Sequence, residues 1–257
     1  MTIERLFNLT GKVAIVTGGH SGIGQGLAEG LAEAGANLVI AGRRYEVCEE
    51  VSQEIASRYG VQSLAVRCDV THNEDVDKLV EATLARFEKL DIMVNSAGIS
   101  GSEKPITEIS EGYWDRVLSV NLKGTFLCSR AAARTMIKQR EGKIINVASM
   151  DAFITARNMA DYSASKGGVL QLTRATALDL VKYNIQVNAI CPGYFLTPMN
   201  LKFFTTEAGK KVIDQKIPMR RLGSVEELKG IAIYLASSAS SFTTGAAIIV
   251  DGGQTIW

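Results

Sequence analysis

The 257-residue chain is 46% hydrophobic and 21% charged, with 28 basic side chains against 27 acidic ones and a net charge of +1. That balance carries no electrostatic footprint for nucleic acid or an anionic membrane surface. At this length about 70–75% of the unfolded surface can be buried, so one core needs no disulfide or metal staple.

The opening Met1-Thr2-Ile3-Glu4-Arg5-Leu6-Phe7 lacks the basic-then-apolar pattern of a signal peptide, and every apolar run is strand-length, short of a bilayer span. The cytoplasm is the expected location. Cys48, Cys68, Cys128 and Cys191 have no metal-ligand spacing and read as small buried hydrophobes, so no metal is expected. No linker-like stretch divides the chain, and residues 1–257 read as one domain.

Lys12–Thr17 reads as the first strand, followed by a glycine-rich turn and a helix through about Ala34. Asn37–Ala41 reads as the second strand, with a charged helix through Tyr59. Ser63–Arg67, Ile92–Asn95, Lys143–Ala148, Gln186–Cys191 and Ala246–Asp251 complete the strand set. These runs are near-continuously apolar rather than alternating, the mark of strands buried on both faces of a parallel sheet. Strand–helix alternation predicts an α/β, doubly wound, Rossmann-type sheet of seven parallel strands with helices on both faces. Pro198–Arg221 breaks the alternation and reads as part of a substrate cap at about 194–221.

The first strand runs into Thr17-Gly18-Gly19-His20-Ser21-Gly22-Ile23-Gly24. Glycines between a strand and a helix let the backbone approach a diphosphate at the positive end of that helix. The spacing is G-x-x-x-G-x-G rather than the common G-x-G-x-x-G. His20 reads either as an exposed loop histidine or as a neighbour of the phosphate. An acidic residue for the adenosine ribose is expected at the end of the second strand. Here Ile40-Ala41-Gly42-Arg43-Arg44 has none, and Gly42 occupies its place. Arg43 and Arg44 suit a 2′-phosphate, which favours NADP(H) over NAD(H), although two solvated arginines would look the same.

Ser149 lies at a strand's carboxyl end, and Tyr162-Ser163-Ala164-Ser165-Lys166 follows. On a helix, Tyr162 and Lys166 are neighbours on one face. Lowering a phenol pKa by ~3 units from near ~10 takes about 4 kcal/mol. An ammonium ~4 Å away at an effective dielectric of ~20 supplies about that much. Tyr162 is therefore expected to act as the proton-transferring residue, with a lowered pKa.

Together, Thr17–Gly24, Asn95-Ser96-Ala97-Gly98, Asn121, Ser149, Tyr162-x-x-x-Lys166 and Pro192-Gly193-x-x-x-Thr197 resemble the roughly 250-residue branch of the short-chain dehydrogenase/reductase family. The likeness covers essentially the whole chain; one departure is Ser96, where the family carries a second Asn. The resemblance implies that Ser149 orients the substrate oxygen, Tyr162 exchanges a proton with it, Lys166 tunes the tyrosine and contacts the nicotinamide ribose, and Asn121 supports a water relay. It puts the cofactor on Gly18, His20, Ser21, Gly22, Ile23, Gly24, Arg43, Arg44, Asp69, Val70, Asn95, Ala97, Gly98, Tyr162, Lys166, Pro192, Gly193, Phe195 and Thr197. Asp69 would contact the adenine and Thr197 the carboxamide. A homotetramer is also implied.

The segment from Asn188 to Met199, with Ser149-Met150, is similar to the family's sugar-acid and polyol dehydrogenases of the gluconate 5-dehydrogenase type. 3-Oxoacyl-carrier-protein reductases and broad ketone reductases share much of this framework. Asp151, Phe153, Arg157, Asn158, Tyr194 and Met199 are the candidates for the substrate side. A non-catalytic nucleotide sensor on the same fold would be expected to lack the Tyr–Lys pair.

Overall fold

The structure, a computed structural model, describes residues 2–198 and 200–257; Met199, a substrate candidate, lies outside them. Seven strands form one sheet: β1 (Val13–Thr17), β2 (Asn37–Gly42), β3 (Ser63–Arg67), β4 (Ile92–Asn95), β5 (Gly142–Val147), β6 (Ile185–Pro192) and β7 (Ala247–Val250). Every pairing is parallel, and the order is β3-β2-β1-β4-β5-β6-β7. The predicted strands are all present, with ends shifted by a residue where they differ.

The helices are α1 (Ile3–Phe7), α2 (Gly22–Glu33), α3 (Tyr45–Tyr59), α4 (Asn73–Phe87), α5 (Glu111–Leu118), α6 (Gly124–Gln139) and α7 (Ala160–Leu180). α8 (Leu201–Phe204), α9 (Glu207–Lys216) and α10 (Lys229–Ala236) follow. The sequence reading of residues 198–221 as a break in the alternation corresponds to α8 and α9, two helices between β6 and α10.

Side chains alternate across a strand, and here both faces are covered. Ala14, Val16, Leu38, Ile40, Ile92 and Val94 pack into one layer with Leu27, Leu31, Ile55 and Leu235. Their neighbours Ile15, Val39, Ala41 and Met93 pack into the opposite layer with Leu79, Leu127 and Met136. β1 and β6 are buried throughout: β1 as an unbroken apolar run, and β6 with Gln186 and Asn188 buried among its apolar residues. Neighbours β1 and β4 lead away in opposite directions along the sheet order. A crevice opens at the carboxyl ends of strands where the order reverses in this way, and ligands of open α/β sheets bind there. Among the described residues no helix is long and apolar enough to cross a membrane.

Candidate active site

The turn after β1 is built so that backbone, not side chain, faces the crevice. Gly18 and Gly22 have φ of 66° and 55°, a region that costs a residue with a Cβ. A Cβ on Gly24 would lie 2.3 Å from the Gly18 carbonyl oxygen, and one on Gly18 would lie 3.0 Å from Ala97 Cα. The turn therefore closes on itself and on the segment after β4. Thr17 Oγ1 accepts hydrogen bonds from the N–H groups of Ser96 and Ala97, at 3.1 and 3.2 Å, which fixes the two loops together. Ser21 precedes the N-terminus of α2 with its side chain unengaged in capping, Ile23 packs against the core, and Thr197 lies against Gly22. This is a cradle that a Cβ would fill, at a helix N-terminus, and it fits the diphosphate of a dinucleotide.

His20 departs from an exposed loop histidine. It is half-buried, its Nδ1 is buried without a hydrogen-bond partner, and its Nε2 lies 3.1 Å from Arg44 Nη2. Burial lowers its pKa, and the charges of Arg44 and Arg43 lower it further. Arg43 and Arg44 are exposed at the end of β2. Asp69 sits beyond β3, where burial raises its pKa but hydrogen bonds from the Thr71 N–H and hydroxyl prevail and hold it low.

Three positions assigned to the cofactor side turn their side chains inward. Asn95 Nδ2 donates to Ser129 Oγ (2.9 Å) and Asn146 Oδ1 (2.8 Å), so this amide ties β4 to β5 and α6. The Val70 side chain is buried against Gly124, at the start of α6. The Phe195 ring is buried, and a Cβ on Gly223 would lie 2.5 Å from it. At these positions only main chain remains to face a ligand. Gly193, after Pro192 ends β6, is held by the C-terminal segment: a Cβ there would lie 2.3 Å from Gln254 Oε1.

The Ser, Tyr and Lys foreseen from spacing converge beside β5. Ser149 follows β5 and opens a single 3-10 turn, Met150–Ala152. Tyr162 and Lys166 stand in the first turns of α7, with Lys166 Nζ 5.6 Å from the centroid of the Tyr162 ring. Lys166 is buried, and its ammonium donates to the Val147 carbonyl at 2.8 Å. A Cβ on Gly98 would lie 3.3 Å from Asn121 Oδ1 and 3.7 Å from Lys166 Nζ, so the loop after β4 also arrives here. Asn121 lies in a π turn, Ser119–Lys123, between α5 and α6. Its Oδ1 accepts from Ile99 N (2.9 Å), and its Nδ2 donates to Ile99 O (3.0 Å) and Ser165 Oγ (3.1 Å).

The expected lowering of the phenol's pKa is not a property of the protein groups alone. Burial pushes Tyr162 up to about 12, against a smaller lowering effect of the neighbouring Ser149 side chain. Burial also brings Lys166 down to about 8. Both groups are desolvated, and desolvation disfavours phenolate and ammonium alike.

Of the substrate candidates, Asp151 and Tyr194 border this cluster. Ser149 Oγ donates to Asp151 Oδ2 at 3.0 Å, and the Asp151 carboxylate acts on both Tyr162 and Tyr194. Tyr194 packs edge-on against Phe204 of α8, with ring centroids 5.4 Å apart. Phe153, Arg157 and Asn158 are exposed, and Asn158 has a φ of 64°. Sequence reasoning missed Asp161, which is fully buried and accepts from Ser102 N and Tyr162 N, each at 2.8 Å. An acid in the first turn of the tyrosine's helix was the available signal.

A glycine cradle and a Ser–Tyr–Lys cluster facing one crevice of a parallel sheet define an oxidoreductase of the dinucleotide-binding class. A family model described as enoyl-(acyl carrier protein) reductase matches residues 18–255. The chain belongs to the short-chain dehydrogenase/reductase family. It is 42% identical over 252 residues to 2-dehydro-3-deoxy-D-gluconate 5-dehydrogenase of Dickeya dadantii, covering 98% of each chain. It is 38% identical over 253 residues to an NAD-dependent glycerol dehydrogenase of Listeria innocua, covering 98% of this chain and 97% of the relative. A crystal structure of a gluconate 5-dehydrogenase from Burkholderia cenocepacia, in complex with NADP and tartrate, is 37% identical, covers 100% of both chains and superposes with a TM-score of 0.95.

Proposed function

We propose that the protein is an NADP(H)-dependent oxidoreductase that interconverts a secondary alcohol and a ketone on a sugar acid or polyol. The observation that carries this reading is the convergence of Ser149, Tyr162 and Lys166 beside the glycine cradle. Bound nicotinamide would supply or accept the hydride. In the reductive direction, the Tyr162 hydroxyl, kept protonated by burial, gives its proton to the oxygen that becomes an alkoxide. Ser149 donates a hydrogen bond to the same oxygen. Lys166, pinned by the Val147 carbonyl, reaches the nicotinamide ribose and lends positive charge beside the phenol. Asn121 holds Ile99 and Ser165 in register, and so fixes the loop after β4 against α7.

On the cofactor side, the turn from Gly18 to Gly24 receives the diphosphate, Arg43 and Arg44 the 2′-phosphate, Asp69 the adenine and Thr197 the carboxamide. The absence of a carboxylate at Gly42 and the NADP in the Burkholderia relative both support NADP(H). The sugar-acid substrate rests on the Dickeya and Burkholderia relatives. α8 and α9, with the segment from Tyr194, serve as the cap. Exposed apolar side chains at the end of α7 and just beyond it, Leu178 at 78% and Val181 at 51%, support assembly into a homotetramer.

A panel of keto sugar acids, polyols and acyl thioesters, assayed with NADPH and with NADH by cofactor absorbance, tests the reading. Turnover highest on a keto sugar acid or polyol with NADPH is the expected result. Activity confined to thioesters, or equal use of both cofactors, would overturn it.

A further inference from the structure

Ser149 has one hydroxyl proton, and that proton points at Asp151. Ser149 Oγ donates to Asp151 Oδ2 at 3.0 Å and accepts from the Asp151 N–H at 3.1 Å, so residues 149 and 151 form a closed local pair. To hydrogen-bond a substrate oxygen, Ser149 must withdraw its donor from the carboxylate. The carboxylate is half-buried and faces the site: its charge acts on Lys166, Tyr162 and Tyr194. Stripping a partly desolvated carboxylate of its donor is unfavourable, unless another donor takes the vacated place.

We infer that Asp151 is a specificity-determining residue that accepts a hydrogen bond from a hydroxyl on the carbon next to the reacting one. The inference rests on the ketone–alcohol chemistry proposed above and narrows its substrate class to 2-hydroxy ketones and the matching vicinal diols. A substrate of this kind makes an exchange. Its carbonyl oxygen takes the Ser149 hydrogen bond, and its neighbouring hydroxyl gives Asp151 a replacement. A plain ketone of the same size takes the first and leaves the carboxylate with an unfilled acceptor. A carboxylate on the neighbouring carbon is worse, since it brings no donor and a like charge. The acid group of a keto sugar acid must therefore sit away from the reacting carbon.

Sites that hydrogen-bond a substrate hydroxyl discriminate strongly against the analogue that lacks it. Asp151 is only half-buried, which keeps the expected effect to about 10–100-fold, well below the largest cases. Hydroxyacetone and butanone form a nearly isosteric pair that differs by this hydroxyl. In the wild type with NADPH, kcat/KM for hydroxyacetone should exceed that for butanone by about 10-fold or more. Asp151→Leu should bring the ratio close to one. Asp151→Asn, whose amide can donate to Ser149 and still accept from the substrate, should retain part of the preference, and it guards against a Leu variant that fails to fold. Calorimetric titration of hydroxyacetone into the NADP⁺-loaded protein, where no turnover occurs, should show weaker binding in Asp151→Leu.

An unchanged ratio in Asp151→Leu, or an equal fall on both ketones, would overturn the inference while leaving the proposed function standing. A wild type that turns over neither ketone nor any sugar acid or polyol would overturn the proposed function, and the inference with it.

Discussion

The His20 Nε2 atom accepts a hydrogen bond from the Arg44 guanidinium at 3.1 Å. Arginine only donates, so the neutral ring must carry its proton on Nδ1. That Nδ1 points at Gly42, where a Cβ would lie 2.6 Å away, with Cys48 Sγ at 2.9 Å. The position at which a ribose-binding carboxylate is expected is thus closed by packing as well as lacking an acid. Gly42→Asp alone should therefore raise KM for NADPH and NADH alike, by about 10-fold, the scale of an overpacked contact of 1–3 kcal/mol. The double substitution with His20→Ser should lower KM for NADH relative to the single one. A fall in NADH KM with Gly42→Asp alone would show that the packing does not matter.

Arg43 and Arg44 test the phosphate assignment from the other side. Replacing both with serine should raise KM for NADPH by about 10–100-fold, in line with 1.5–3 kcal/mol for a hydrogen bond to a charged group. KM for NADH should change little. The same variant should raise the His20 pKa, because Arg44 and Arg43 are two of the three causes that lower it, after burial. Imidazole titration by NMR reads this directly. Equal effects on the two cofactors would remove the 2′-phosphate contact.

Tyr162→Phe deletes the proton donor and little else. Turnover should fall by about 10³-fold or more, within the range for general acid catalysis and the loss of its hydrogen bond combined. NADPH affinity, measured by fluorescence titration, should stay within about 3-fold, since less than one kcal/mol is at stake. Retained turnover would sink the assignment.

Lys166 sets activity against stability. Its folded pKa, about 8 against the ordinary 10.5, means that burial makes the ammonium unfavourable. For a depressed lysine the unfolded chain binds more protons between pH 8 and 10.5, so this group's contribution to stability rises with pH across that window. Below it the full penalty applies, roughly 3 kcal/mol by the pKa relation, offset by about 1 kcal/mol for the hydrogen bond to Val147. Lys166→Met should therefore abolish turnover and raise the cofactor-free Tm at neutral pH by about 4–8 °C. A lowered Tm would mean that the Val147 contact outweighs desolvation.

The fold was legible because β1, β2, β4, β5 and β6 are almost wholly buried and carry that burial as mainly apolar runs. The Ser149, Tyr162 and Lys166 cluster was legible because four residues of helix bring two side chains to one face. The charge balance within it was not legible. Spacing says that an ammonium stands beside a phenol, but not that burial pushes the phenol up to about 12. The direction of the Asn95 side chain was not legible for a related reason: β4 ends at this residue, yet its amide turns inward, where Asn146 and Ser129 wait on β5 and α6. Those partners lie 51 and 34 residues away along the chain, beyond any local pattern.

Asp161 was the least legible of the residues that build the site. Its carboxylate is fully buried one residue before Tyr162, and it accepts from Ser102 N and from its neighbour's N–H, each at 2.8 Å. Gly101 leaves it room, since a Cβ there would lie 2.6 Å from Oδ1. The Tyr113 hydroxyl donates to the Gly101 carbonyl at 3.3 Å, so the loop after β4 is held between α5 and α7. Removing the carboxylate takes this partner from two backbone N–H groups, those of Ser102 and Tyr162, and frees that loop from the helix that carries Tyr162. Asp161→Ala should cost about 2–3 kcal/mol in urea unfolding, the scale of a buried hydrogen bond to a charged group. Gly101→Ala, which pushes on the same carboxylate without deleting it, should cost about 1–3 kcal/mol as an overpacked site. The double variant should cost less than the sum, because removing the carboxylate takes away the tightest contact of the added methyl and leaves the Tyr162 Cβ at 3.0 Å. Strict additivity in that cycle would mean that residues 101 and 161 do not act on each other.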